Sequence, residues 1–280
     1  MEITLADERL ILLEERGTFE EIKQRAADKR TSAFGGGLSG MLNRPKNEEV
    51  NLVAFKRRLE PMWHIKGHSR YEYERTRSYT VPTSGPEVHR VTITGTDYEV
   101  KAGAPPSSFG LPVLEHCLEE YRREVFLDGQ TGQPVADGAQ VITGPQSEVH
   151  DVAELSANDT VVIPPEQRAS FVVRSVVQEI MKAVQADKLI DETLALETAD
   201  LYYRPIWSFE YKWLPRDKTG FIEIDGVTGT IRQTNQLLPQ IKGMVMNKDT
   251  WFDIGADTVE LLVPGGGIAM KVARAVTDKK

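Results

Sequence analysis

A chain of 280 residues, of which 40% are hydrophobic and 27% charged, has the composition of a globular protein and is long enough for one large domain or two ordinary ones. Its net charge of −8 disfavours a protein whose main partner is nucleic acid, because that affinity depends on clustered cations. The single cysteine, Cys117, excludes an internal disulfide and a cysteine-based zinc site, and no stretch approaches the roughly 18 apolar residues of a membrane span.

The N-terminal residues predict two helices. Thr4 is placed to cap a helix over residues 5–16 that stops at Gly17, and Thr18 with Glu21 forms a T-x-x-E capping box for a helix over residues 19–30. The apolar run LILL is too short, and too closely flanked by charges, to resemble a signal peptide. We therefore expect an N-terminal helix at 1–17 and a cytoplasmic protein.

Residues 50–135 predict strands followed by a helix. The run RYEYERTRSYTV at 70–81 alternates strictly, and residues 88–94 alternate again after a turn, which indicates an antiparallel meander. The segment VLEHCLEEYRRE at 113–124 carries its apolar residues at helical spacing. A stretch rich in glycine and proline follows. We assign 18–135 to a first α+β module with an insertion and 136–159 to a linker.

The second half predicts the same order of elements. Two prolines open a helix at 170–188 whose apolar residues fall on one face, and residues 194–213 and 219–231 have the pattern of two long strands. The C-terminal residues return to helical spacing on both sides of VPGGG. We assign 160–233 to a second α+β module and 234–280 to a helical C-terminal extension.

The two halves share a helix, a Pro-x-Trp strand and a D-G-x-T-G turn in that order. Pro61 and Pro205 mark the strands, and DGQTG at 128–132 matches DGVTG at 225–229. In such a turn the aspartate carboxylate accepts backbone N–H groups and the glycines supply positive φ. We predict an α+β fold of two helix-on-antiparallel-sheet modules and treat them as a candidate duplication. Chance similarity between two aromatic strands is the rival explanation.

Residues 166–232 resemble a PepSY domain, on the evidence of the helix, the aromatic strand YYRPIWSFEY and the strand ending IEIDGVTG. The resemblance implies a helix laid across a small antiparallel sheet. It also implies a family found in propeptides and proposed as peptidase inhibitors. The chain departs from that family because it shows no export signal and no H-E-x-x-H peptidase motif. We therefore carry over the fold, and keep peptidase regulation as an alternative function.

The sequence predicts no catalytic residue, no cofactor site and no metal site. His64 and His68 are four residues apart and could share a metal with a nearby glutamate, but no third ligand is fixed by spacing, so two polar surface residues are the preferred interpretation. The glycine triplets lack the G-x-x-x-x-G-K-[ST] spacing of a phosphate-binding loop. We expect a chain that is not an enzyme.

Two stretches could bind partners. We predict a non-catalytic cytoplasmic protein-interaction or assembly module whose C-terminal hairpin binds a protein partner or a second copy, through Trp251, Ile254, Leu261, Leu262, Ile268 and Val272. Single-stranded nucleic-acid binding by residues 56–77 is a further alternative, although the interleaved glutamates disfavour it. Its candidate residues are Arg57, Arg58, Trp63, Lys66, Arg70, Tyr71 and Tyr73.

Overall fold

The computed structural model describes residues 2–35, 45–101, 106–156, 160–234, 251–252 and 271–274, and strands dominate them. The strands are β1 (Glu2–Leu5), β2 (Glu8–Leu13), β3 (Val50–Pro82), β4 (Arg90–Ile93), β5 (Thr96–Glu99), β6 (Ser108–Asp128), β7 (Gln146–Glu148), β8 (Val161–Val162), β9 (Lys188–Trp213), β10 (Lys218–Asp225), β11 (Ile231–Thr234) and β12 (Lys271–Arg274). The helices in this part of the chain are α1 (Phe19–Asp28), α2 (Gly138–Val141), α3 (Val152–Leu155) and α4 (Ala169–Ile180).

One mixed sheet replaces the two predicted modules, so the α+β prediction was wrong. Ten strands form this sheet, and β4 with β5 forms a separate hairpin. The antiparallel pair β3 and β9 is its centre. The far edge of β3 pairs with β6 and, in parallel, with the short β8. The other edge of β9 pairs with β10 in the antiparallel sense and with β2 and β1 in the parallel sense. Beyond these, β11 pairs with β10, β7 pairs with β2, and β12 pairs with β1.

Two predicted helical segments are strands instead, and residues 271–274 of a third form a strand. Residues 2–13 form β1 and β2, because the run that contains Leu10, Ile11 and Leu13 is buried on both faces and lies parallel to β9. Residues 113–124 lie within β6. In the C-terminal extension, β12 pairs in parallel with β1, so the prediction of a wholly helical extension was also wrong.

The predicted helices that correspond to α1 and α4 are confirmed. Thr18 and Glu21 form the capping box of α1, in which the Thr18 hydroxyl accepts from Glu21 N–H at 3.3 Å and the Glu21 carboxylate accepts from Thr18 N–H at 2.8 Å. The apolar face of α4 is buried, as its spacing predicted, but the helix ends at Ile180, before the predicted end. Both helices form because an apolar stripe meets the sheet.

Each of these helices packs on strands from the other half of the sequence. Helix α1 contacts β9 and β10, whereas α4 contacts β3 and β6. The strands that precede the helices cross in the same way, since β2 pairs with β9 and β8 pairs with β3. Residues 136–159, predicted as a linker, contribute α2, β7 and α3, with Val141, Val149 and Leu155 buried. The two halves are therefore interleaved in one sheet.

Most of the hydrophobic core lies between the sheet and the two longer helices. The larger cluster joins α4 to Trp63, Ile65 and Tyr203, and a second cluster joins α1 to Phe209 and Tyr211. A third cluster, around Met62 and Tyr202, involves residues that alternate with these along β3 and β9. Within the described ranges, no helix has the length and hydrophobicity to cross a membrane.

Candidate functional site

The outer edge of β6 is a long strand edge of the large sheet. All of β6 pairs with β3, from Met62 opposite Asp128 to Pro82 opposite Ser108, without a register shift. On the other side, Lys101 pairs with Ser108 and the chain after the turn reaches only Leu127. Among the described residues, no strand pairs with the stretch between these contacts. We call residues 110–125 the β6 edge.

The even-numbered residues of the β6 edge turn their backbone groups away from β3. Phe126 O accepts from Val135 N–H at 2.8 Å, and Ser108 O accepts from Lys101 N–H at 2.9 Å, so both carbonyls point outward. Backbone groups alternate in direction along a strand, and the register with β3 does not shift between these residues. Pro112 fits this pattern, because a proline is tolerated where the missing N–H would face out of the sheet.

Exposed and partly buried side chains alternate along the β6 edge from residue 112 to residue 121. Leu114 is 55% exposed and Leu118 is 58% exposed. They share their face with Glu120 and Arg122, whose side chains are 47% and 72% exposed and lie 3.6 Å apart. The edge therefore offers two large apolar side chains beside charges of both signs.

Tyrosine and carboxylate groups fix the opposite face of β6. The Glu119 carboxylate accepts hydrogen bonds from the hydroxyls of Tyr121 and Tyr73. Both bonds lower the pKa of Glu119, and the bond from Tyr121 has the larger effect. The bond to Glu119 in turn raises the pKa of Tyr73 to about 12. Glu115 similarly binds Tyr79 and Arg75, each at 2.5 Å. These contacts hold β6 to β3 in a defined strand geometry.

The D-G-x-T-G turns have the predicted chemistry. Asp225 Oδ1 accepts from Val227 N–H at 2.9 Å and from Thr228 N–H at 3.0 Å, and Gly229 has φ of +73°. Gly226 is not among the described glycines with positive φ, so that part of the prediction was wrong. Its N–H instead donates to the carbonyl of the Pro-x-Trp proline at 2.8 Å.

The first turn makes the same bonds. Asp128 Oδ1 accepts from Gln130 N–H at 3.0 Å and from Thr131 N–H at 2.8 Å. Gly129 N–H donates to Pro61 O at 2.8 Å, and Gly132 has φ of +71°. Trp63 pairs with Leu127 just before this turn, as Trp207 pairs with Ile224 just before the other. The strand that follows differs, because β11 continues along β10 whereas the chain after Gly132 leaves β6.

A buried network of charges lies where β3, β9 and β10 meet. Arg204 binds Asp137 at 2.6 and 3.0 Å and lies 2.5 Å from Asp225, whose side chain is fully buried. The Arg204 guanidinium lowers the pKa of Asp137. Beside this group, Arg58 binds Glu223 at 2.6 and 2.8 Å.

The paired charges in this network support a structural role. Arg232 links its two parts by contacting Glu60 at 2.8 Å and Asp225 at 3.2 Å. Arginine keeps its proton at any ordinary pH, so a carboxylate bound to it is a poor proton donor or acceptor. We find no arrangement for acid–base catalysis in these contacts.

The seven residues proposed for nucleic-acid binding do not form one surface. Trp63, Tyr71 and Tyr73 are buried, and Trp63 donates its indole N–H to a backbone carbonyl at 2.7 Å. The four cations are bound to carboxylates through Arg57–Glu15, Arg58–Glu223, Lys66–Glu197 and Arg70–Asp191 contacts. Base stacking requires exposed ring faces, which these residues do not provide.

Four of the six C-terminal residues predicted to bind a partner lie outside the described residues. Trp251 is only 4% exposed and packs on Tyr203, with ring centroids 6.0 Å apart, and Phe252 packs edge-on against Trp63. Val272 lies in β12, opposite Ile3. Ile254, Leu261, Leu262 and Ile268 lie outside the part of the chain that the structure describes.

The two histidines bind different carboxylates. His64 Nε2 lies 2.8 Å from Glu124 Oε1 and its ring stacks on Phe126, whereas His68 Nδ1 lies 2.6 Å from Glu197 Oε1. In the ranges covered by the structure, no group of three or more His, Cys, Asp or Glu residues could hold a metal ion.

The β6 edge was missed because its residues were predicted as a helix. The apolar spacing of 113–124 favours that interpretation, but the DGQTG turn directly after it indicates a hairpin strand, as DGVTG does after β10. No family model, no curated protein and no solved structure matches the chain. The function must therefore be inferred from the chain's own geometry.

Proposed function

We propose that this chain is a non-catalytic protein-interaction or assembly module that binds an extended segment of its partner along the β6 edge. The observation that carries the proposal is the long, regular outer edge of β6, which pairs with no strand in the described ranges. Such an edge is a template for another strand. The single cysteine is free, which suits a reducing cytoplasm and makes that location part of the proposal.

The β6 edge carries some of the devices that block edge pairing, namely charged side chains and Pro112, and lacks others. Natural edge strands are kept short, bulged or covered, or they carry proline and charged side chains, especially lysine. The β6 edge is long, keeps its register with β3 and contains no lysine, and Pro112 interrupts only one end. A bound strand would gain main-chain hydrogen bonds from the even-numbered residues and side-chain contacts from Leu114 and Leu118.

The two turns also indicate the direction of the bound strand. We propose that the hairpins ending in D-G-x-T-G are an internal repeat, on the support of their matching hydrogen bonds. In one hairpin, β11 covers the edge of β10 in the antiparallel sense. By analogy, the β6 edge suits an antiparallel strand. That strand must come from elsewhere, because the chain after Gly132 leaves β6 near Leu127.

The experiment is affinity capture from native extract with three forms of the full chain. Leu118→Pro removes an outward N–H without touching the ladder to β3, whereas Leu118→Ala keeps that N–H and removes the apolar side chain. We expect a specific protein to bind the wild type, to bind Leu118→Ala more weakly and to be lost with Leu118→Pro. Equal capture by all three forms would refute strand addition at this edge.

Two other functions stay predictions and are tested by the same capture. Enrichment of a peptidase, whose activity the chain then lowers, would support the PepSY-like alternative. Enrichment of nucleic acid that is released by salt would support the nucleic-acid alternative. Neither alternative is favoured by a contact in the described part of the chain.

A further inference from the structure

We infer that the strand bound at the β6 edge is the β6 edge of a second copy of this chain. The inference rests on the proposed function and names its partner. It is carried by the order of charges around Tyr121, where Glu119 and Glu120 precede the tyrosine and Arg122 and Arg123 follow it. When two copies of this segment run antiparallel, the acidic residues of one copy face the basic residues of the other.

An antiparallel pair of β6 edges with Tyr121 opposite Tyr121 matches every charge beside it. Glu119 of each copy then faces Arg123 of the other, and Glu120 faces Arg122. A two-fold axis through the Tyr121 pair produces each contact twice. The Glu120–Arg122 contact therefore forms two cross-strand ion pairs, whereas Glu119 is already bound to Tyr73 and Tyr121, and Arg123 to Glu179 at 2.6 Å, within its own chain. Opposite charges directly across two strands stabilise their pairing, and like charges destabilise it.

Neighbouring registers lose this match. Moving the axis to residue 120 places Glu120 opposite itself. Moving the axis to residue 122 places Arg122 opposite itself and Glu120 opposite Glu124. The charges thus favour the Tyr121-centred register over both neighbours.

The backbone directions agree with this register. The even-numbered residues point outward, so Glu120 and Arg122 become hydrogen-bonded partners of the two copies. Tyr121 and its counterpart form a pair without mutual hydrogen bonds, as do Cys117 and Val125 of the other copy. Glu120 and Arg122 are exposed enough to exchange their weak contact within one chain for contacts between chains.

The direct test uses two charge reversals, Glu120→Arg and Arg122→Glu, measured alone and mixed. Each variant alone places like charges opposite each other at two positions and is expected to weaken self-association about tenfold or more. In an equimolar mixture, one copy supplies two arginines and the other two glutamates, so association returns. Sedimentation of the full chain over a concentration series measures the self-association of each variant and of the mixture. A mixture that stays as dissociated as its components would overturn the inference.

Crosslinking tests the register independently. Val125→Cys places a cysteine opposite the native Cys117 of the other copy, in a non-hydrogen-bonded pair whose spacing suits a disulfide. Val113→Cys is the matched control, since it lies on the same face of β6 but away from Cys117 in this register. We expect a disulfide-linked dimer from Val125→Cys alone. Equal crosslinking by both variants, or by neither, would overturn the Tyr121-centred register.

Failure of this inference is distinguishable from failure of the proposed function. A wild-type chain that is monomeric throughout the concentration series refutes self-association. If such a chain still captures another protein in a manner that Leu118→Pro abolishes, the β6 edge is a binding site for that protein and the second copy is excluded.

Discussion

Replacing Asp225 by alanine should destabilise the fold far more than replacing Asp128, although both residues make the same turn. Each carboxylate accepts two backbone N–H groups, and such hydrogen bonds contribute about 1 kcal/mol each. Asp225 is in addition fully buried and lies 2.5 Å from Arg204. Removing one partner of a buried ion pair costs about 3–5 kcal/mol.

The expected losses in free energy of unfolding are therefore about 2 kcal/mol for Asp128→Ala and about 5–7 kcal/mol for Asp225→Ala. Asp225→Asn is the informative control, because its amide oxygen can still accept the turn hydrogen bonds while the charge is gone. It should fall between the two alanine variants. Urea unfolding of the three variants and the wild type gives these values. Equal losses for Asp128→Ala and Asp225→Ala would refute the argument from buried charge.

Three further predictions follow from single contacts. Trp251→Ala should lower the free energy of unfolding by about 3 kcal/mol because the ring is buried on Tyr203, and an unchanged melting temperature would contradict this. Because Arg204 lowers the pKa of Asp137, the ionised carboxylate stabilises the fold above about pH 4 and loses this contribution at lower pH. The stability difference between wild type and Asp137→Asn should thus shrink on acidification, and a constant difference would argue against the ion pair. Finally, Tyr73 should ionise near pH 12, measured as the absorbance titration of wild type minus Tyr73→Phe, whereas ionisation near pH 10 would contradict its bond to Glu119.

Local patterns predicted some elements well. The capping box of α1, the apolar face of α4 and the alternation in β3 depend on residues close in sequence, and all three elements are present. The strands β9 and β10 were likewise predicted from their sequence pattern. These signals work because hydrogen bonds and side-chain direction within one element fix their spacing.

The errors came from contacts between distant parts of the chain. Residues 2–13 satisfied a helical pattern, but pairing with β9, almost two hundred positions away, makes them strands. Residues 113–124 also had helical spacing, and their strand is fixed by pairing with β3. Each of α1 and α4 packs on strands from the other half of the sequence, and this cannot be predicted from composition or periodicity. Packing on strands of its own half would bury the same apolar face of each helix.

The β6 edge itself is tested most directly by amide hydrogen exchange resolved at single residues. The N–H groups of Leu118, Glu120 and Arg122 point outward, whereas those of Glu119 and Tyr121 are bonded to β3. We expect the three outward amides to exchange fast in a dilute solution of the chain and to become protected at concentrations where the chain associates. The two inward amides should be protected throughout. Outward amides that are protected at every dilution, or that exchange equally fast in the assembled protein, would contradict this expectation.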